Sequence, residues 1–225
     1  MVCSGYAPSR LVAALLVGCL ALILAACIPY KPTLALEKSV HSIPVSVAVE
    51  MFRDASPPDD KEDLAEGTVS QTKSMEGDLS ALVTRAIVAD FSAAAVFRSI
   101  GRHAAHPDLI LSGTIRRFYG QATIPSWALI PGLGWAVSAF ASPVQAWQGE
   151  VDLEVRLATP DGLVLGVYRG RAAYQEMAGH DSRYWSMPLY PAHVRLNRAF
   201  TEAVGQIRDQ MVKDRELLLT GLMKK

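Results

Sequence analysis

Val151-Asp-Leu-Glu-Val-Arg-Leu-Ala158, followed directly by Thr159-Pro-Asp-Gly162, is the stretch from which the fold is read. Val151, Leu153, Val155 and Leu157 alternate with Asp152, Glu154, Arg156 and Ala158, the two-residue period of a strand with one buried face. Pro160 pre-sets a turn and Gly162 is free to take positive φ, so the chain reverses. A partner strand is expected from Leu163 to about Tyr174, closing a hairpin.

Working outward, Val45, Val47, Val49 and Met51 alternate with Ser46, Ala48 and Glu50, which predicts a first strand over Pro44 to Phe52. Residues 53–78 are rich in charge and breakers and read as a solvated loop. From Asp78, the expected N-cap, Leu79, Val83, Ile87, Phe91, Ala94 and Phe97 fall on a helical stripe, with Thr84, Arg85 and Asp90 mostly off it. That helix is expected to end near Phe97. Leu109, Leu111, Gly113 and Ile115 mark a second strand, followed by Arg116 and Arg117, one of them facing solvent and the other an edge or partner. Phe200, Val204, Ile207, Met211 and Leu218 mark a last helix over about Pro191 to Leu219. The expected fold is α+β: a two-layer sandwich in the order β-α-β-β-β-α, its four-stranded sheet covered on one face by two helices.

Between the second and third strands lies an apolar insert, residues 122–149, without a charged residue and holding Trp127, Trp135 and Trp147. It reads in two ways. It is a buried loop or short helix filling one end of the sheet, or an element that meets a membrane or partner through Trp127, Leu129, Ile130, Leu133, Trp135, Phe140 and Trp147. Pro125, Pro131 and Pro143 with Gly132 and Gly134 would break a single spanning helix; a shallow hairpin or docking patch fits better.

The N-terminal stretch carries one charge, Arg10, before an apolar run from Leu11 that closes on Leu24-Ala25-Ala26-Cys27. An uncleaved helix over Leu11 to Ile28 would sit at the lower limit of a bilayer span. The order of charge, apolar core and small residues fits a cleaved signal better. The tetrad resembles the lipobox of bacterial lipoproteins, which implies a signal peptide over 1–26 and acylation of Cys27. The upstream Leu16-Val17-Gly18-Cys19 leaves too short an apolar core ahead of it. By the same resemblance, Ile28 in place of an Asp implies the outer membrane. Residues 27–42, with Pro29 and Pro32, then read as the lipidated cysteine and a tether, and 43–225 as one domain.

Cys3, Cys19 and Cys27 are the only cysteines, so the exported domain has no thiol pair to oxidise and relies on its core. Removing 1–26 takes the 22 basic and 22 acidic residues to 21 and 22. No field remains to attract nucleic acid, and none is expected as a partner.

The search for chemistry yields little. His103 and His106 have a metal-compatible spacing without a third ligand nearby, and read as a solvated turn. Asp59-Asp60 with Glu62-Asp63 lacks the alternating oxygens and central Gly of a calcium loop. His180-Asp181 has no nucleophile with a matching elbow, and Gly132-Leu-Gly134 lacks the third glycine of a nucleotide fingerprint. No catalytic residue, metal or cofactor is expected.

Cys27, the first strand, Asp108-Leu-Ile-Leu-Ser-Gly-Thr-Ile115 and the Thr159–Gly162 hairpin together resemble small periplasmic lipoproteins. These are the lipopolysaccharide-assembly lipoprotein, the penicillin-binding-protein activators and the curli-secretion channel lipoprotein. The resemblance implies a non-enzymatic outer-membrane lipoprotein on the periplasmic face, docking on an envelope protein partner. Two other classes stand beside it: a pore or membrane-remodelling subunit using residues 124–147, and a periplasmic ligand carrier or enzyme.

Overall fold

The computed structural model describes residues 32–34, 42–61, 68–70, 78–104, 106–123, 145–178 and 189–223. Among them are β1 (Ile43–Val49), β2 (Arg53–Asp54), a 3-10 turn (Pro58–Lys61), β3 (Thr68–Ser70), α1 (Leu79–Ala93), β4 (Phe97–Gly101) and β5 (Leu109–Thr123). They continue with β6 (Gln145–Ala158), β7 (Val164–Ala178), α2 (Leu189–Lys213) and α3 (Arg215–Met223). The strands form one sheet in the order β4-β1-β5-β6-β7, with β2 and β3 also paired to β5. The α+β class and the covering helices match the expectation. The counts do not: among the described residues there are seven strands rather than four and three helices rather than two.

The hairpin forms as its turn residues dictate. Gly162 has φ +91° and its N–H donates to the Thr159 carbonyl at 2.8 Å. From there β6 and β7 pair antiparallel back to Gln145 and Ala178. β5 pairs antiparallel with β6 on one edge. Its other edge takes β1 in parallel, then β2, then β3.

Three expectations fail for identifiable reasons. The first helix stops at Ala93, because Ala95 takes φ 52°, Val96 N–H donates to the Phe91 carbonyl and Ala95 N–H to that of Ser92. This is a Schellman cap with alanine where glycine is usual, so no glycine marks it in the sequence. Phe97, expected on the helical stripe, instead opens β4 and packs against Phe91, ring centroids 6.1 Å apart. The supposed solvated loop over 53–78 contains β2, the 3-10 turn and β3, and buries Ser56 and Asp60. The last helix jogs at Asp214 into α3.

The insert is shorter at both ends than its lack of charge suggested. β5 continues to Thr123 and β6 begins at Gln145, so only 124–144 lie between strands. Trp147 belongs to β6 and is 1% exposed. It is a core residue, not one that meets a membrane or partner, and the Arg195 guanidinium covers its ring at 4.4 Å.

The core lies between the sheet and the helices. Val47, Leu109, Leu111, Val151, Leu153 and Val155 meet Val83, Ile87, Phe91, Phe200, Ile207 and Met211, all fully buried. Phe118 and Phe200 pack edge to face at 5.4 Å. α2 comes so close to β7 that a Cβ on Gly170 would stand 1.9 Å from the Ala203 carbonyl oxygen. Thr84 and Asp90, expected off the stripe, are both buried. Thr84 accepts the Phe52 N–H at 3.0 Å, and Asp90 pairs with Arg208 of α2 at 3.3 Å. These partners explain two polar groups on an inward face.

Val47→Asp and Ile207→Asp should each unfold the domain, since an unpaired charge in this core costs several kcal/mol. Unchanged melting temperatures for both would refute the assigned faces. Ala95→Gly should stabilise by about 1 kcal/mol, through relief of left-handed strain net of glycine's entropy. Calorimetry should show a rise of about 2–4 °C.

Candidate docking face

β5, β6 and β7 bury one face under α2; no described helix packs on the other. On β6 the outward residues are Gln148, Glu150, Asp152, Glu154 and Arg156, the polar half of the alternation quoted at the outset. Register sets Arg171 opposite Asp152 and Arg169 opposite Glu154. On the β5 side Arg117 stands opposite Asp152 and Tyr119 opposite Glu150.

The ion pairs run diagonally across this register, as long side chains allow. Arg169 grips Asp152 with both Nε, at 2.8 Å, and Nη2. Glu150 accepts from Arg171 Nε at 2.6 Å and Arg117 Nη1 at 2.9 Å. Arg117 also holds Asp60 with Nε at 3.1 Å and Nη2 at 2.7 Å, and Arg116 binds Glu154 through Nε at 3.0 Å. The Arg117 guanidinium lies 4.8 Å over the Tyr119 ring.

The carboxylates form the floor and the guanidiniums the roof. The side chains of Asp60, Glu150 and Asp152 are 5–7% exposed, against 38% for Arg117, 52% for Arg169 and 62% for Arg171. Each guanidinium has five donors, and the three bonds of Arg117, two of Arg169 and one of Arg171 to these carboxylates leave donors to meet another molecule. The Arg169 hydrogen bonds hold the Asp152 carboxyl below the usual carboxylate range against the opposing pull of burial. Hydrogen bonding to Asp60 is the chief cause that raises Arg117 above its ordinary value. Burial raises the Tyr119 phenol.

Local structure aims these groups. A register irregularity between Ile115 and Arg117 inserts one residue, so inward positions change from odd (Leu111, Ile115) to even (Phe118). Both arginines thereby reach acids, where simple alternation put one on solvent and the other on an edge or partner. Asp60 is delivered by the 3-10 turn, tied back through its N–H to the Pro57 carbonyl at 3.1 Å. A separate clamp sits where β4, β1 and β5 meet. Asp108 accepts the Ser46 N–H at 2.7 Å, the Ser46 hydroxyl at 2.9 Å and Arg98 at 3.1 Å. The Ser46 bonds chiefly hold its carboxyl low.

Of the residues singled out in the sequence, Trp127, Leu129, Ile130, Leu133, Trp135 and Phe140 lie outside the described residues, as do Cys27, the signal peptide, Glu62, Asp63, His180 and Asp181. His103 and His106 are exposed between β4 and β5. Among the described residues no group of three or more His, Cys, Asp or Glu is placed to hold a metal. No described helix is long and apolar enough to cross a membrane. The charged face itself was missed. Its signal was present, because the Pro160–Gly162 turn fixes the register that sets the acids of β6 beside Arg169 and Arg171.

Arg169→Ala should make the fold acid-sensitive. The lowered Asp152 carboxyl contributes stability above the unfolded value, about pH 3.9, and loses it as pH falls through the lower folded value. Without Arg169 the buried carboxyl rises instead. The acid-unfolding midpoint, followed by circular dichroism, should move to higher pH; an unchanged midpoint would show that the pair does not govern it.

No family model matches the chain, and no curated protein matches it. Solved structures similar to it include a DUF330 protein from Xanthomonas campestris, with 14% identity and a TM-score of 0.43, covering 88% of this chain and 98% of that one. A candidate lipoprotein from Caulobacter crescentus shares 16% identity with a TM-score of 0.33, over 63% and 86% of the two chains. An uncharacterized protein shares 10% identity with a TM-score of 0.39, over 77% and 98%. None of the three is described as a lipopolysaccharide-assembly lipoprotein, a penicillin-binding-protein activator or a curli-channel lipoprotein, and those finer resemblances rest on the sequence alone.

Proposed function

We propose that this chain is a lipid-anchored protein of the bacterial outer membrane, held through Cys27, which docks on an envelope protein without catalysing a reaction. The observation that carries the docking half is the arginine roof over Asp60, Glu150 and Asp152. Arg is favoured at protein interfaces because its planar fork loses little freedom per bond formed. Here the forks are already held in place by buried carboxylates, which lowers the cost of ordering them on binding. The anchoring half is supported by the Leu24–Cys27 tetrad and by a domain without further cysteine. The partner is a protein offering carboxylates or carbonyl oxygens to the spare donors. The pore reading loses Trp147 to the core, although 124–144 keep their apolar composition.

Two measurements test this. Cys27→Ser should abolish fatty-acid labelling and leave a precursor that keeps residues 1–26; labelling that survives this change would refute the anchor. A photo-crosslinker at Val167, 56% exposed on the charged face, should capture one partner in intact envelopes. The Arg169→Lys, Arg171→Lys double variant keeps the acids paired but loses the forks. Capture should weaken about tenfold, the equivalent of 1.4 kcal/mol; undiminished capture would refute docking through this face.

A further inference from the structure

Residues 32–34 lie against the domain, within the 27–42 stretch that reads as the lipidated cysteine and a tether. The Thr33 N–H donates to Asn197 Oδ1 at 3.1 Å, and Leu34 packs on the core. Asn197 stands in the early turns of α2, between Arg195 and Arg198, and both of those bind Glu176 near the end of β7, at 2.6 and 2.8 Å. Glu176 pairs in register with Trp147, and Trp147 with Ala122. The chain from the anchor therefore meets the domain near the end where β5 finishes, β6 starts and β7 finishes.

Cys27 and Thr33 are six residues apart, a span of at most about 20 Å when fully extended. The opposite end, at the Thr159–Gly162 turn, lies twelve residues along β6 from Trp147, or about 40 Å of strand. From the near end also springs the segment 124–144, uncharged and carrying Trp127 and Trp135. A short leash and the attachment points of an uncharged segment with two tryptophans, a residue enriched at bilayer interfaces, share one end of the sheet. We infer that this end, marked by Thr123, Gln145, Ala178 and the first turns of α2, faces the lipid bilayer, with the Thr159–Gly162 turn pointing away from it. The inference rests on the reading of Cys27 as the lipidated residue.

Loss of residues 1–26 and acylation of Cys27 leave no free thiol, so one introduced cysteine reports one site. Val194 in α2 and Leu163 at the far turn are matched, 54% and 56% exposed. The full lipidated chain carrying Val194→Cys or Leu163→Cys would be labelled with bimane and placed in vesicles of phosphatidylethanolamine and phosphatidylglycerol with headgroup nitroxides. Quenching should be several-fold stronger at position 194. Equal quenching, as for a sheet lying flat, or stronger quenching at 163 would overturn the orientation. The mass of the N-terminal peptide reads acylation separately: an unmodified Cys27 would sink the anchor, whereas an acylated Cys27 with equal quenching would sink only the orientation.

Discussion

The two-sided pairing of β5 is the constraint on which the rest depends. One edge is zipped to β6 from Ile110 to Thr123, while β1, β2 and β3 share the other in succession. Strand side chains alternate, so a slip of one residue would expose Leu109, Leu111 and Ile115 and push arginines inward. Within β5, the bulge at Arg116 is where the alternation changes phase. It divides β5 into a half that turns Leu111 and Ile115 inward and a half that turns Phe118 onto Phe200 of α2 while carrying Arg117 and Tyr119 on the charged face. The bulge therefore builds that face as much as it bends the strand.

The pair between Asp90 and Arg208 acts differently. Its side chains are 2% and 10% exposed, and a buried pair of this kind adds little net stability, because desolvation offsets the attraction. Its physical consequence is selectivity. An arrangement of α1 against α2 that separated these groups would break a buried ion pair, at roughly 3–5 kcal/mol. Thr84 does the same for α1 and the chain at Phe52, since the Phe52 N–H would lose its acceptor if the helix turned.

Sequence periodicity carried the reading wherever a strand or helix buried one face for its whole length: Val45 to Val49, Leu109 to Ile115, Val151 to Leu157, and the stripe from Phe200 to Met211. It failed where tertiary pairing overrode local signals. β2 and β3 are two and three residues long and exist through β5's edge, so no window of sequence reveals them. β4 follows a helix cap that uses Ala95 instead of glycine. Trp147 looked like part of an apolar insert because Gly149 and Gln148 interrupt the strand pattern around it. In the candidate face, Arg116 and Arg117 were visible as charges, but Asp60 comes from a segment read as solvent-exposed, and the bulge that unites both arginines with acids leaves no composition signal.

The outer edge of the sheet bears on how a partner could bind. An exposed strand such as β7 offers unpaired backbone groups that recruit other strands. Here α2 occupies part of that edge. Gln210 accepts from the Arg169 N–H at 3.4 Å and donates to the Arg169 carbonyl at 2.8 Å, and Gln206 accepts from the Arg171 N–H at 2.9 Å. The blocked residues are the two whose guanidiniums roof the charged face. Backbone and side chain of Arg169 and Arg171 are thus held from opposite sides, by helix glutamines and by sheet carboxylates. A partner meeting this region engages fixed side chains on the face rather than adding a strand at the edge. Recognition of that kind draws its specificity from charge placement, and its association weakens as salt screens the exposed guanidiniums.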